Sequence, residues 1–471
     1  MAQAARLPGS VPREFRAAWM ATVFNLDWPS QPGLSPDAQR AQLASQLDAA
    51  ARLNLNAVIF QVRPSGDAVY ASSLEPWSGF VSGAVGRSPG YDPLRFAVAE
   101  AHRRGLELHA WFNPFRARAG SAFAPAGSHL AVRRAEWTRA YAGGLWFDPG
   151  EPGVREHTIR VLSDVARRYA VDGIHIDDYF YPYPPTGTPG LGASAFPDNA
   201  TYAKYGRGKN RAAWRRSNID AFVSGLYRSI KKIRPAAKVG ISPFGIWRPG
   251  VPATIQGKLD SYEYLAADSR GWLARGWCDY LAPQLYWSID PPEQSFSTLL
   301  RWWHQQNRSG RFVWPGMAID RIGPQRPARE IINQIGLTRE LAGRGRAGGC
   351  HWALKGLRQN RGRIQDALLT GPYASRAAVP AAPWLGAAVP EPPAAVCQGG
   401  VLRVTPPMDA AWVAVQAWDE TDWRLAELLR HEPSESCAPL ETRVPDNARL
   451  LAVRSLSASG VESEARLVEI A

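Results

Sequence analysis

The run Asp172-Gly173-Ile174-His175-Ile176-Asp177-Asp178-Tyr179-Phe180-Tyr181 ends a short apolar stretch in two adjacent carboxylates followed by aromatic rings. Read as a strand, it puts His175 and Asp177 on one face and Ile174 and Ile176 on the other. Paired carboxyl groups are what hydrolysis of a glycosidic bond requires. One stays ionised, to attack or to stabilise an oxocarbenium-like transition state, and one is held protonated to release the leaving group. Asp177 is the ionised member in this reading. The proton donor is sought first at Asp268, which lies between an aromatic-rich loop and Arg270, then at Asp178 or at Glu75 in Leu-Glu-Pro-Trp. Plainer roles compete: Asp-Ser-Arg is an ordinary helix cap, and either neighbouring aspartate can cap a turn or pair with an arginine.

Other strand-like runs end in the same mixture. Gln61, Arg63 and Asp67 follow one run, and His109, Trp111, Asn113 and Arg116 follow the next. With His175, Tyr179, Tyr181, Gln284, Tyr286, Trp287 and Trp352 they form the candidate substrate-binding set. Such a mixture suits a sugar chain, whose hydroxyls need polar partners and whose pyranose faces stack on rings. Arg63 and Arg116 are expected beside the carboxylates. His109, His175 and Asp177 could instead hold a metal in a metal-dependent barrel hydrolase, but no His-x-His pair is present, and neither metal nor other cofactor is expected. A serine hydrolase lacks its Gly-x-Ser-x-Gly turn.

Eight short apolar runs, from Arg16–Phe24 to Ala347–Ala353, alternate with helical segments and must position these groups. Ser35-Pro36-Asp37, for example, supplies an N-cap, an N1 proline and a first-turn acid before an amphipathic stretch. This rhythm predicts an α/β chain forming a (β/α)8 TIM barrel, whose catalytic groups come from the carboxyl ends of the strands. An open doubly wound sheet is the runner-up, weakened by the absence of Gly-x-Gly-x-x-Gly after any run. The expected division is a leader over 1–14, the barrel over 15–373, a Pro/Ala-rich linker over 374–396 and a small all-β sandwich of fibronectin type III size over 397–471. Packing, spacing or glycan contact is the expected role of that sandwich.

The chain has 471 residues and a net charge of +13. From Arg376 onward 8 basic residues face 13 acidic ones, so the excess belongs to the barrel part, which carries +18. It is dispersed, without blocks of five or six, which argues against nucleic acid and for an anionic polymer such as a cell-wall glycan. No run is long and apolar enough to span a bilayer. The short Ala-rich start lacks a signal-peptide core, although a secretion signal removed upstream would leave such a leader. Cys278 and Cys350 are expected as buried thiols, and Cys397 could pair with Cys437 in an oxidising compartment.

The strings FRAAWMATVFNLDWP, FQVRPSGDAVYASSLEPWS, ELHAWFNPFRAR, VDGIHIDDYFYPYP and DYLAPQLYW resemble the glycosyl-hydrolase-like ten family of bacteria over roughly Phe15 to Leu369. The resemblance implies a barrel glycosidase of the cell envelope, periplasmic or secreted, acting on a polysaccharide, with peptidoglycan glycan strands as substrate and a possible association with the division machinery. The family's DDYFYPYP motif falls on Asp177 to Pro184 and its ADSRxW motif on Ala267 to Trp272, which favours Asp177, Asp178 and Asp268 without fixing their roles. A non-catalytic glycan-binding protein would present the same aromatic and polar mouth.

Overall fold

The computed structural model describes residues 7–120, 122–185, 196–432 and 439–470. Eight parallel strands form the expected barrel: β1 (Phe15–Met20), β2 (Ala57–Arg63), β3 (Glu107–Phe112), β4 (Gly173–Ile176), β5 (Lys238–Ile241), β6 (Tyr280–Leu281), β7 in two pieces (Phe312–Val313 and Gly316–Ala318) and β8 (Gly348–Trp352). Each pairs with the next, and β8 returns to β1 through the register Phe15 to Gly348. The seventh strand closes the ring in halves, its first piece against β6 and its second against β8. Pro315 stands at the break, where it has no N–H to give to a ladder. The helices α1 (Pro36–Arg52), α2 (Pro93–His102), α3 (Pro152–Arg168) and α4 (Arg211–Ile233) run outside the first five strands. The predicted cap of α1 is present, with Ser35 Oγ accepting from Ala38 N.

Side-chain alternation splits the barrel into two cores. Ile174, Ile176, Val239 and Ile241 point outward and pack under the helices. Phe15, Trp19, Trp111, Tyr280 and Trp314 point inward. The interior admits such large rings because neighbouring strands supply glycines at the same level. A Cβ on Gly173 would lie 2.6 Å from the His109 ring, and one on Gly240 would lie 2.0 Å from the Tyr280 ring. Bulk in one strand is therefore matched by absence in the next.

Beyond the barrel, β9 (Ala394–Gln398), β10 (Val401–Thr405) and β13 (Leu440–Arg443) form one antiparallel sheet. A second sheet contains β11 (Trp412–Trp418), β12 (Trp423–Arg430), β14 (Leu450–Leu456) and β15 (Arg466–Glu469). Leu402 and Val404 of the first meet Val413, Val453 and Val468 of the second, so the sheets pack face to face. This unit covers the end of the barrel where the strands begin. Arg430 pairs with Asp172 at 3.1 Å, His102 lies between Asp172 at 2.8 Å and Glu432 at 3.3 Å, and Leu428 sits against Gly105.

The Pro/Ala-rich segment is pinned rather than loose. Glu14 N donates to Ala378 O, Ala378 N to Pro12 O, and Trp384 Nε1 to Asp279. Cys278 and Cys350 are buried thiols, whereas Cys437, the expected partner of Cys397, lies outside the described residues. No helix among the described residues is long and apolar enough to cross a membrane.

Candidate active site

At the end of the barrel where the strands finish, a cavity of about 210 Å³ is lined by Trp19, Trp111, Asp177, Asp178, Tyr179, Tyr183, Ser242, Gln284, Tyr286 and Trp352. The strand period places most of them: Trp19, Trp111 and Trp352 are the last inward rings of β1, β3 and β8. Trp352 meets the other two edge-on, with centroids 6.1 and 6.0 Å away. Asp177 follows His175 on the inward face of β4, as alternation predicts. Its Oδ2 accepts from Trp111 Nε1 at 2.9 Å and Asn113 Nδ2 at 3.3 Å, and its Oδ1 accepts from Tyr179 N at 3.4 Å. Asp178 accepts from the Tyr183 hydroxyl, and Gln284 lines the cavity beside it. The Arg116 guanidinium lies 5.1 Å from the Tyr179 ring centre, with Nε bound to Pro64 O at 2.9 Å.

Burial in this apolar box disfavours charge on both carboxyls. Burial first, and then the neighbouring Asp178 charge, push Asp177 up to about 7, against the pull of Arg116 and the Trp111 N–H. Burial raises Asp178 as well, and donation from Tyr183 opposes the shift. Asp177 is expected from sequence as the ionised member, whereas burial and the Asp178 charge favour its protonated form.

Of the other expected residues, Trp111, Tyr179, Gln284, Tyr286 and Trp352 line the cavity, and Asn113 and Arg116 support it. Several do not reach it. Arg63 is fully buried and turned away, held by Glu75 at 2.5 and 2.7 Å and by the carbonyls of Asn113 and Pro114. Glu75 is consequently no proton donor: although burial works against its charge, Arg63 and His157 hold it well below the usual carboxylate range. Asp268 caps the short helix Ser269–Ala274 through Gly271 N at 3.1 Å and faces Arg275 at 3.5 Å, so the plain helix-cap reading accounts for its contacts. Gln61 Oε1 accepts from Thr22 N and Val23 N, Asp67 accepts from Ser65 N, and Tyr181 packs on Phe196 and under Arg215. Trp287 stands edge-on to Phe244 outside the cavity lining. His109 and His175 lie beneath the cavity, and both turn Nδ1 to the Tyr280 hydroxyl, at 2.8 and 2.9 Å, instead of converging with Asp177 on one point.

Sequence reasoning missed Ser242 and Tyr183. Ser242 follows a strand with no carboxylate at its end, and Tyr183 stands in a Tyr-Pro-Tyr-Pro string whose turn decides which ring faces inward.

Comparison with known proteins bears on the family and the fold. The family model for glycosyl hydrolase-like 10 matches residues 14–327. The chain belongs to that family. It is 38% identical over 395 residues to the glycosyl hydrolase YngK of Bacillus subtilis, covering 81% of this chain and 76% of that protein. Against the glycosyl hydrolase DigH of Escherichia coli K12 the identity is 36% over 331 residues, covering 65% and 74%. Among solved structures, the glycoside hydrolase domain of PgaB (BpsB) from Bordetella bronchiseptica superimposes with a TM-score of 0.50 at 16% identity, over 76% of this chain and 98% of that one. That likeness concerns the fold alone, and it is the fold seen here in a glycosyl hydrolase-like 10 chain.

Proposed function

We propose that this family member is a glycoside hydrolase that cleaves a bacterial cell-wall polysaccharide, the glycan strands of peptidoglycan, through Asp177 and Asp178. The adjacent carboxyls on the wall of an aromatic cavity carry the reading. Asp177, protonated near neutrality, donates to the glycosidic oxygen as the bond breaks. Asp178, held by Tyr183, is the carboxyl placed to stabilise the positive charge that develops on the sugar ring, and a water molecule adds to the anomeric carbon and returns a proton to Asp177. Trp19, Trp111 and Trp352 give that sugar apolar faces, and Tyr286 and Gln284 lie at its edge. The dispersed positive charge of the barrel suits an anionic wall polymer.

The same reading places the chain in the cell envelope, periplasmic or secreted. It assigns catalysis to residues 15–373 and glycan contact or packing to 397–471. The strand order of that second unit, first-second-fifth against fourth-third-sixth-seventh, supports a fibronectin type III-like sandwich. The test is release of reducing ends from purified glycan strands, with and without stem peptides, by the parent chain and by Asp177→Asn. Release by the parent alone is expected. Binding without release would make the chain a glycan-binding protein.

A further inference from the structure

A continuous file of polar groups runs through the barrel interior beneath the cavity. Lys238 Nζ contacts both oxygens of Glu107, at 2.9 and 3.1 Å, and Glu107 Oε2 lies 3.0 Å from His109 Nε2. His109 Nδ1 is 2.8 Å from Tyr280 Oη, which is 2.9 Å from His175 Nδ1. His175 Nε2 then meets Trp19 Nε1 at 3.2 Å and Ser242 Oγ at 2.9 Å. His109, His175 and Tyr280 are fully buried, so each must find its partners inside this file.

The two ends fix the direction of every hydrogen bond. An ionised carboxylate only accepts and an indole N–H only donates. Glu107, charged opposite Lys238, obliges His109 Nε2 to carry a hydrogen, which leaves its Nδ1 to accept from the Tyr280 hydroxyl. That hydroxyl has one hydrogen, so its oxygen accepts from His175 Nδ1–H. His175 Nε2 is left as an acceptor, as the Trp19 N–H facing it independently demands. Burial pushes His175 well below the usual imidazole range and keeps the ring neutral.

We infer that this file turns the Ser242 hydroxyl hydrogen inward, where it shares the single lone pair of His175 Nε2 with the Trp19 N–H, and leaves its oxygen in the cavity as an acceptor, selecting a sugar that presents a hydroxyl or amide N–H there. Gln284 strengthens the arrangement. Its Nε2 is committed to Ser242 O at 3.0 Å, so its Oε1 also remains to accept. Ser242 is then a specificity-determining residue, with Tyr280 and His109 as positioning residues. The inference rests on the hydrolase reading only for the identity of the ligand.

The test has two arms. In protein labelled with 15N at its histidines, His175 is expected as the neutral Nδ1–H tautomer from pH 5 to 8. Its signals are assigned by their loss in His175→Gln or, should that chain not fold, by their displacement in Ser242→Ala. In the Asp177→Asn background, Ser242→Ala is expected to weaken binding of a tetrasaccharide cut from a peptidoglycan strand about fivefold to tenfold, the value of one hydrogen bond. An Nε2–H or doubly protonated His175, unchanged affinity on Ser242→Ala, or no binding of the tetrasaccharide would overturn the inference. If the tetrasaccharide binds with the expected dependence while the parent chain releases no reducing ends, the hydrolase reading fails and the acceptor assignment stands.

Discussion

Trp111 and Asp177 are joined by an indole N–H to carboxylate hydrogen bond of 2.9 Å that links the last inward ring of one barrel strand to the carboxyl of the next. It fixes the orientation of that carboxyl without supplying a full charge. The group therefore stays polarised, positioned and, at neutral pH, still close to half protonated.

Asp177 as the proton donor gives a defined pH profile. Turnover should hold below about pH 7 on this limb and fall tenfold per pH unit above it, as the donor loses its proton. Asp177→Asn should lower turnover by about 10²- to 10⁴-fold, the usual contribution of general acid catalysis. The stability change has the opposite sense. The folded carboxyl is raised above its unfolded value, so its contribution is intact below about pH 4 and is lost as pH rises to about 7. Thermal melts of Asp177→Asn should show a gain over the parent that grows between these values and then levels, on the order of a few kcal/mol.

The two strand-end arginines should behave differently. Arg63→Met leaves Glu75 buried without its cation and should cost about 3–5 kcal/mol in folding, read from denaturant melts. Arg116→Met should leave the fold largely intact. Because Arg116 lowers the pKa of Asp177, its loss should move the alkaline fall in turnover to higher pH. An unmoved profile would separate Arg116 from the acid.

Gly240→Ala should be costly even though the site is a strand where alanine is ordinarily tolerated. The new methyl would sit 2.0 Å from the Tyr280 ring, which has no free space in which to retreat. Overpacking of this kind costs about 1–3 kcal/mol or more, and a fall in Tm of several degrees is the expected reading.

His102 clamps the second unit to the barrel and makes that contact sensitive to pH. Burial opposes its charge, but Asp172 and Glu432 outweigh this and hold it up to about 9. The folded value exceeds the unfolded one, so the stabilisation is full below about pH 6.5 and is lost as pH rises through about 9. His102→Gln should lower the Tm at pH 6 and make little difference at pH 10.

The barrel was legible because its signals are periodic. Eight apolar runs spaced by helices predict eight strands, and the alternation that put His175 and Asp177 on one face holds inside each strand. Legibility ends at the last strand residue. Bulges and loops then set direction: a register shift between Gln61 and Arg63 lets Arg63 turn to a glutamate twelve residues on, Tyr181 turns under Arg215, and Asp268 becomes a helix cap. Ser242 was invisible for a related reason: its meaning comes from Trp19, His109, His175 and Tyr280 on four other strands, none of them near it in sequence.

The sandwich sits against the start of the strands, and the cavity opens where they finish. A ligand thus enters the cavity from a side that the second unit does not shade. The final strand of that unit is accordingly a sound place to attach the chain to a bead, a dye or a second protein. Cargo fixed there would trail behind the barrel, leaving the cavity entrance clear.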